Sequence, residues 1–238
     1  MIRIVAPVPS EKAYELAVNA FQDMWLKVTG ETLSVVTEDD GVSDVVVIGS
    51  DAVNDVTAQV MADGLLDTLN IRYGTDSYSL ISIEKDGRTM LLLCGGRGRS
   101  TLYAVYDYFE RVAGCRYFWD GDVIPHHDTL PIGGLNVAEA PRFQYRGLRY
   151  FAHRGLWRFQ AEHWSPEDWE REIEWLVKRR MNFFMLTSAW TICSSAPSPR
   201  PFPIRIPLPA CPAPSLKATT TARCSGRWST ADSCASTS

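Results

Sequence analysis

Apolar and polar residues follow two spacings along the first part of the chain, one typical of strands and one typical of helices. Short apolar runs predict strands at residues 2–6, 33–36 and 45–48. Apolar residues spaced by three or four positions predict helices at residues 10–28 and 53–66. In the first helix, Ala17, Phe21 and Trp25 belong to the apolar stripe. Gly30 marks its end, because glycine readily adopts the left-handed conformation that closes a helix.

A hairpin and a third helix come next. Residues 77–94 predict two strands, and Asp86-Gly87 between them is typical of a tight turn. The turn Gly95-Gly-Arg-Gly-Arg-Ser100 then opens a helix that ends at Gly114. This order of elements predicts a small sheet with its helices on one face, an α/β sandwich domain over residues 1–118.

The pattern changes at residues 119–142, where neither spacing is present, and a linker is predicted. Residues 143–187 then predict a strand, a helix and a second, continuously apolar strand. The helix start is well defined, because Ser165-Pro-Glu-Asp168 supplies a capping residue, a first-turn proline and two first-turn carboxylates. Its predicted buried stripe is Trp169, Ile173, Leu176 and Val177, and Glu174 and Lys178 are spaced to pair. We expect this segment to be the first βαβ unit of an incomplete TIM barrel.

The composition changes after about residue 187. Residues 188–238 contain 8 of the 14 prolines, 4 of the 6 cysteines and 10 serines, but only one acidic residue, Asp232. Neither spacing persists there. Reading the segment one base earlier with GC-rich codons restores acidic residues and an amphipathic helix pattern. We therefore expect an out-of-frame, disordered tail on a truncated chain, the alternative being a genuine proline-rich tail.

The charge of the chain, its apolar runs and its cysteines limit the partners, the location and the disulfides that we expect. Residues 1–187 contain 27 acidic and 19 basic residues, so we expect neither nucleic acid nor an anionic membrane as a partner. No signal peptide is evident, and no apolar run approaches the ~20 residues of a membrane span, so a cytoplasmic location is the default expectation. Cys94 lies in an apolar strand and Cys115 at a helix end, which predicts buried thiols rather than a disulfide.

Three segments offer candidate chemistry, and each has a plainer explanation. The Gly95–Ser100 turn presents backbone N–H groups and two arginines to an anion, but it lacks the ending of known phosphate-binding loops. We therefore favour a tight strand-to-helix crossing with Ser100 as the N-cap. His126-His127-Asp128 has no partner cluster, so we expect a polar loop and neither a metal nor a cofactor. Three glutamates of the last helix are expected on its solvent face rather than in catalysis: Glu170, Glu172 and Glu174.

Several motifs together resemble one group of glycoside hydrolases. They are Gly114-Cys-Arg-Tyr-Phe-Trp119, Ala140-Pro-Arg-Phe-Gln-Tyr-Arg-Gly147, Trp169-Glu-Arg-Glu-Ile-Glu-Trp175 and the strand start Met181-Asn182. Through them, residues 1–187 resemble the α-N-acetylglucosaminidase family and share the architecture of the β-hexosaminidase and α-glucuronidase families. In these families a hexosaminidase-like N-terminal domain precedes a (β/α)₈ catalytic barrel.

The resemblance implies hydrolysis of a terminal amino sugar or uronic acid of a glycan by a pair of carboxyl groups. Such acids lie at the ends of later barrel strands, so we expect no catalytic residue in this chain and an inactive fragment. In β-hexosaminidases the arginine of an Arg-Gly pair binds sugar hydroxyls, and Arg146 matches it. Tyr150, His153 and Arg154 are further candidate substrate contacts. The aromatic residues after the first barrel strand either stack on sugars or pin the loop: Trp157, Phe159 and Trp164.

Two other functions remain open. The chain is alternatively a non-catalytic carbohydrate-binding or interaction module that works through residues 1–140. A third hypothesis is an α/β nucleotide- or phosphate-binding domain that uses the Gly95–Ser100 turn. A continuous reading frame past codon 187, after a one-base correction, favours the hydrolase. A true stop codon together with glycan binding favours the module, and phosphate binding at the turn favours the third hypothesis.

Overall fold

The computed structural model describes residues 2–8, 11–149 and 164–185. The helices are α1 (Lys12–Thr29), α2 (Asp55–Ala62), α3 (Gly98–Val112) and α4 (Pro166–Lys178). The strands are β1 (Ile2–Val5), β2 (Ser34–Val36), β3 (Asp44–Ile48), β4 (Tyr78–Lys85), β5 (Arg88–Gly95), β6 (Arg116–Phe118), β7 (Gly121–Val123), β8 (Asn136–Glu139), β9 (Gly147–Arg149) and β10 (Phe183–Met185). The α/β fold class predicted from the sequence is confirmed.

Six strands form the main sheet, in the order β2-β1-β3-β5-β4-β8. The first four in this order are parallel, and β4 is antiparallel to both β5 and β8. The predicted hairpin joins β4 and β5, and its turn residues Asp86 and Gly87 have φ angles of 53° and 78°. A two-residue turn with positive φ angles matches the right-handed twist of the flanking strands, which is why Asp-Gly is favoured there.

One face of the sheet is covered by α1 and α3. Ile4, Val46 and Leu93 point from the strands toward Phe21 of α1 and Phe109 of α3, and all five are fully buried. The two phenylalanine rings lie with their centroids 5.1 Å apart. Burying a side chain of this size contributes about 1.5–3 kcal/mol, so this layer supplies much of the stability of the domain.

The opposite face is covered by α2, so the prediction that all helices lie on one face is wrong. Val60 of α2 belongs to a second buried cluster with Val45 and Val47 of β3. The side chain of Asn54 caps α2 by accepting from the backbone N–H of Val56 at 3.1 Å. The sequence did contain a signal that both faces of the sheet are covered: the continuous apolar run of β3. Strands that are buried on both faces lack the alternation of polar and apolar residues.

The segment 119–142, predicted to lack regular structure, contains β7 and β8. Strand β7 pairs with β6 in a small hairpin, and β8 adds an edge strand to the main sheet beside β4. Leu130 and Ile132 are buried in the same cluster as α1 and α3. The segment therefore packs on the main sheet through β8, Leu130 and Ile132, while β7 belongs to a separate hairpin. Both strands are too short and too polar to show a pattern. The domain boundaries stated above stay predictions.

The last described elements form the predicted parallel unit, with β9 and β10 paired in parallel and α4 between them in sequence. Ser165 caps α4 as predicted: its hydroxyl accepts from the Asp168 N–H, while the Asp168 carboxylate accepts from the Ser165 N–H at 3.0 Å. The predicted pair of Glu174 and Lys178 is present at 2.8 Å. Trp169 contacts Phe184 of β10, with ring centroids 5.4 Å apart.

Cys94 and Cys115 are free and buried, as predicted. No helix within the described ranges is long and apolar enough to cross a membrane. The tail at residues 188–238 lies outside the described residues, so its predicted frame error and disorder stay predictions.

Candidate functional site

A cleft of about 550 Å³ lies where the main sheet meets the β9–α4–β10 unit. Three segments and Asn182 line it: residues 72–77, the start of α3, and residues 140–146. Its most distinctive feature is its charge, because five arginines surround a single carboxylate, that of Asp76. We call it the arginine cleft, and define it by Arg72, Arg97, Arg99, Arg142 and Arg146 around Asp76.

Asp76 is the centre of the arginine cleft, with only 6% of its side chain exposed. Its two oxygens accept hydrogen bonds from Arg99 Nε at 2.7 Å, Arg146 Nη2 at 2.9 Å and Asn182 Nδ2 at 2.5 Å. Burial by itself raises the pKa of Asp76, but these three donors more than offset it, so the pKa lies below its ordinary value. Asp76 is therefore a charged carboxylate at neutral pH and fixes the groups around it.

Arg146, the predicted sugar contact, lies immediately before β9 and is only 19% exposed. Its Nε donates to the carbonyl of Arg180 at 2.8 Å, and its Nη1 donates to the carbonyl of Phe143 at 2.8 Å. With the bond to Asp76, the protein itself uses three of the five N–H groups that a guanidinium carries. This geometry gives Arg146 a structural role in joining β9 to the main sheet, and its contact with a sugar stays a prediction.

The other three predicted contacts, Tyr150, His153 and Arg154, lie outside the described residues. They follow β9 in sequence, whereas Arg146 precedes it. Their contact with a sugar stays a prediction.

The glycine-rich turn crosses tightly from β5 to α3, as predicted. A Cβ atom on Gly96 would lie 2.1 Å from the carbonyl oxygen of Arg72, and one on Gly95 would lie 2.2 Å from the Thr101 nitrogen. Only glycine fits at either position. The N-cap of α3 is Arg97 rather than Ser100, since Ser100 stands three residues later and its hydroxyl accepts from the Arg97 N–H at 3.0 Å.

The glutamates of α4 do not share one face. Glu170 and Glu174 are exposed as predicted, but Glu172 is buried, and the prediction that it faces solvent is wrong. Its carboxylate accepts from the indole N–H of Trp119 at 2.6 Å. Burial raises the pKa of Glu172 above its ordinary value, and the bond from Trp119 opposes part of that rise. The reason is tertiary: α4 packs on α3 and β6, which covers this side of the helix.

The two adjacent histidines, His126 and His127, have different environments. His127 Nε2 lies 2.9 Å from the carbonyl oxygen of Ala113, whereas His126 is exposed and its Nε2 lies 3.9 Å from an Asp128 oxygen. Among the described residues, no three histidine, cysteine or acidic side chains are arranged to hold a metal ion.

Of the three loop aromatics considered as sugar platforms, only Trp164 is described. Its ring packs edge-on against Trp169 with centroids 4.8 Å apart, which supports the alternative in which it pins the loop to α4. Trp157 and Phe159 lie outside the described residues.

The sequence analysis did not identify four residues of the arginine cleft as candidate site residues: Asp76, Asn182, Arg72 and Arg142. Asp76 and Asn182 are 106 positions apart, and each stands in a short polar segment without a motif of its own. The only available signal was the Met181-Asn182 pair, which carried family resemblance but no chemistry. Asp76 and Asn182 meet because the β9–α4–β10 unit packs against the main sheet.

The chain is similar to known glycoside hydrolases. No protein-family model matches it. Human alpha-N-acetylglucosaminidase is 26% identical over 118 residues, which span 50% of this chain and 15% of that protein. The solved structure of a family GH115 4-O-methyl-α-glucuronidase, described as specific for decorated arabinogalactans, matches with a TM-score of 0.52 and 15% identity. That match covers 76% of this chain and 24% of the other. The sequence match supports a relationship to glycoside hydrolases, and the structural match shows the fold alone.

Proposed function

We propose that this chain is the N-terminal part of a glycoside hydrolase that removes a terminal amino sugar or uronic acid from a glycan. The sequence similarity to human alpha-N-acetylglucosaminidase supports the reaction class, and the structural match supports the fold. The observation that carries the proposal is the β9–α4–β10 unit, in which two parallel strands and a helix follow an α/β sandwich. Two parallel strands are the start of a larger sheet rather than a complete one, and a barrel continues them in this way.

Hydrolysis of a glycosidic bond needs two carboxyl groups on opposite sides of the bond. In a barrel these groups lie at the carboxyl ends of the strands. The described ends of β9 and β10 are Arg149 and Met185, neither of which is acidic. Glu172 lies on the side of α4 that packs against α3 and β6, and its carboxylate accepts a hydrogen bond from Trp119. We therefore propose that the catalytic acids belong to a continuation of the barrel that this chain lacks, and that a frame error near residue 187 removed it.

The test compares two purified proteins on a panel of 4-nitrophenyl glycosides that includes N-acetylglucosaminides and glucuronides. The 238-residue chain should release no nitrophenol beyond the buffer rate. The same gene, corrected by one base after codon 187 and extended to its next stop codon, should release it with enzyme-like turnover. Turnover by the 238-residue chain, or an intact genomic sequence across codon 187 that ends in a true stop, contradicts the proposal.

A non-catalytic carbohydrate-binding module is the second candidate. The arginine cleft favours it, because its lining residues belong to the described part of this chain, most of them to residues 72–99 and 140–146. Glycan binding by the 238-residue chain, together with a true stop codon in the genomic sequence, would favour this candidate over the hydrolase.

A further inference from the structure

The arginine cleft carries more positive charge than the protein uses. Five arginines line it and Asp76 is the one acidic residue among the lining residues, whereas the whole chain has a formal net charge of −4. Asp76 pairs closely with Arg99 and Arg146, and Arg97 Nε lies 3.8 Å from it. Within the described residues, neither Arg72 nor Arg142 forms an ion pair with a carboxylate. A cluster of like charges in one cleft is unfavourable unless an anion neutralises it.

The backbone adds to the positive potential of the arginine cleft. Helix α3 begins at Gly98, and the residues on either side of it, Arg97 and Arg99, both line the cleft. The amino end of a helix carries a partial positive charge of about half an elementary charge. Asp76 offsets only one unit of charge, so the five arginines and the helix end leave the cleft with a net positive potential.

Two exposed aromatic residues stand at the rim of the arginine cleft. Phe143 is 66% exposed and Tyr145 is 72% exposed, and both line the same cleft as the arginines. The Arg142 guanidinium lies 5.9 Å from the centre of the Phe143 ring. An aromatic face beside a guanidinium offers an apolar platform for a sugar ring next to a donor for its acidic group.

We propose that the arginine cleft binds an acidic saccharide, a short sugar that carries carboxylate or sulfate groups. The excess arginines select the anion, and Phe143 and Tyr145 select the ring. A long polyanion such as nucleic acid is disfavoured, because the chain as a whole carries a formal net charge of −4 and repels it. This inference does not depend on the proposed hydrolase activity, since it concerns equilibrium binding to residues that the chain contains.

The experiment measures binding to the full 238-residue chain by isothermal titration at low salt. The probes are trigalacturonic acid, its neutral counterpart galactotriose, and inorganic phosphate. We expect trigalacturonic acid to bind at least tenfold more tightly than either of the other two. Its affinity should fall as salt is added, because salt screens exposed charges. A Kd for phosphate equal to that for trigalacturonic acid overturns the saccharide assignment in favour of a simple anion site. A Kd for galactotriose equal to that for trigalacturonic acid overturns the role of the arginines.

Variants locate the binding within the protein. Arg72→Ala and Arg142→Ala should each raise the Kd for trigalacturonic acid about tenfold, the usual effect of removing one charge-assisted hydrogen bond. Neither side chain holds the fold together by an ion pair in the described part of the chain, so circular dichroism should be unchanged. Arg171→Ala is the matched control, because it removes the same charge from a side chain on α4 that is 75% exposed. An equal loss of affinity in Arg171→Ala, or no loss in both cleft variants, contradicts the proposal.

Discussion

At the scale of single residues, Asp76 joins parts of the chain that are far apart in sequence. Its carboxylate holds Arg99 of α3, Arg146 before β9 and Asn182 before β10. Removing a buried carboxylate that holds charged donors destabilises a protein more than removing one partner of a surface ion pair, because the donors are left without a partner. The fold around the arginine cleft therefore depends on this one side chain.

Asp76→Asn should lower the free energy of unfolding by about 2–3 kcal/mol at pH 7, since it leaves Arg146 partly buried without its counter-charge. Urea denaturation measures the change. Glu15→Gln serves as the control, because Glu15 forms an exposed pair with Lys12 at 3.2 Å and should cost below about 0.5 kcal/mol. Equal midpoints for Asp76→Asn and the wild type would contradict the structural role of Asp76.

The same carboxylate makes stability depend on pH. The pKa of Asp76 is lower in the folded protein than in the unfolded chain, where it is about 3.9, so its contribution is present above that pH and lost as pH falls through the folded pKa. We expect the difference in stability between the wild type and Asp76→Asn to be constant near neutral pH. It should shrink as the pH falls below about 4. A difference that grows on acidification would show that the sign is wrong.

Gly96 tests the strand-to-helix turn. Gly96→Ala should cost about 3 kcal/mol or more, because the new Cβ would lie 2.1 Å from the carbonyl oxygen of Arg72, within a rigid backbone. Gly133→Ala is the matched control, since its Cβ would lie 3.5 Å from a Thr89 methyl group, an ordinary contact. Thermal unfolding of both variants compares them, and equal melting temperatures would contradict the turn geometry.

At the scale of elements, α4 packs on two sides at once. Trp169 contacts β10, while Glu172, Leu176 and Lys178 are buried on the side that contacts α3 and β6. Ile173, predicted to be buried, is 48% exposed. The amphipathic pattern predicted one buried stripe, and the structure divides the burial between two neighbours.

Lys178 fixes the position of α4. Its ammonium group lies 2.6 Å from an Asp122 oxygen in β7 and 5.6 Å from the centre of the Tyr117 ring in β6. Lys178→Met should destabilise the protein by about 2–3 kcal/mol, since it leaves Asp122 without its partner and removes the cation from the ring. Glu174→Gln removes only the exposed partner of Lys178. It should lower the free energy of unfolding by about 0.5 kcal/mol or less in the same urea titration. Equal costs for the two variants would refute this account.

Most elements were predictable because their signals are local. The Asp86-Gly87 hairpin, the end of α1 at Gly30 and the cap of α4 at Ser165 each depend on a few neighbouring residues, and all three are present. Strand β8 was missed, because it is short, polar and exposed along most of its length. Its pairing with β4 decides that it is a strand, and no local pattern predicts a partner 50 or more positions away.

At the scale of the whole molecule, a second ion cluster joins the main domain to the β9–α4–β10 unit. Arg180, between α4 and β10, bonds to both Asp107 and Glu110 of α3. Tyr103 of α3 donates to the carbonyl of Met181 at 2.8 Å. The two parts are therefore joined through side chains of α3 as well as through Asp76.

Arg180→Gln should loosen the β9–α4–β10 unit without unfolding the main sheet. The loss of about 2 kcal/mol from a half-buried ion pair corresponds to roughly 30-fold faster amide exchange in α4 and β10. Exchange in β3 and β5 should be unchanged. Hydrogen exchange read by mass spectrometry measures both, with Arg171→Gln on the exposed side of α4 as the control. Faster exchange throughout the main sheet would indicate a single cooperative unit instead.

The sequence by itself determined the α/β fold class, most helices and strands, the parallel βαβ unit and the free cysteines, because these follow from periodicity, caps and turns within a few residues. Only the tertiary structure decided that α2 covers the second face of the sheet, that Glu172 is buried and that Asp76 meets Asn182 from 106 positions away. Local spacing fixes which side of a helix is apolar. The neighbour that covers this side, and the charges that meet there, depend on how distant segments pack.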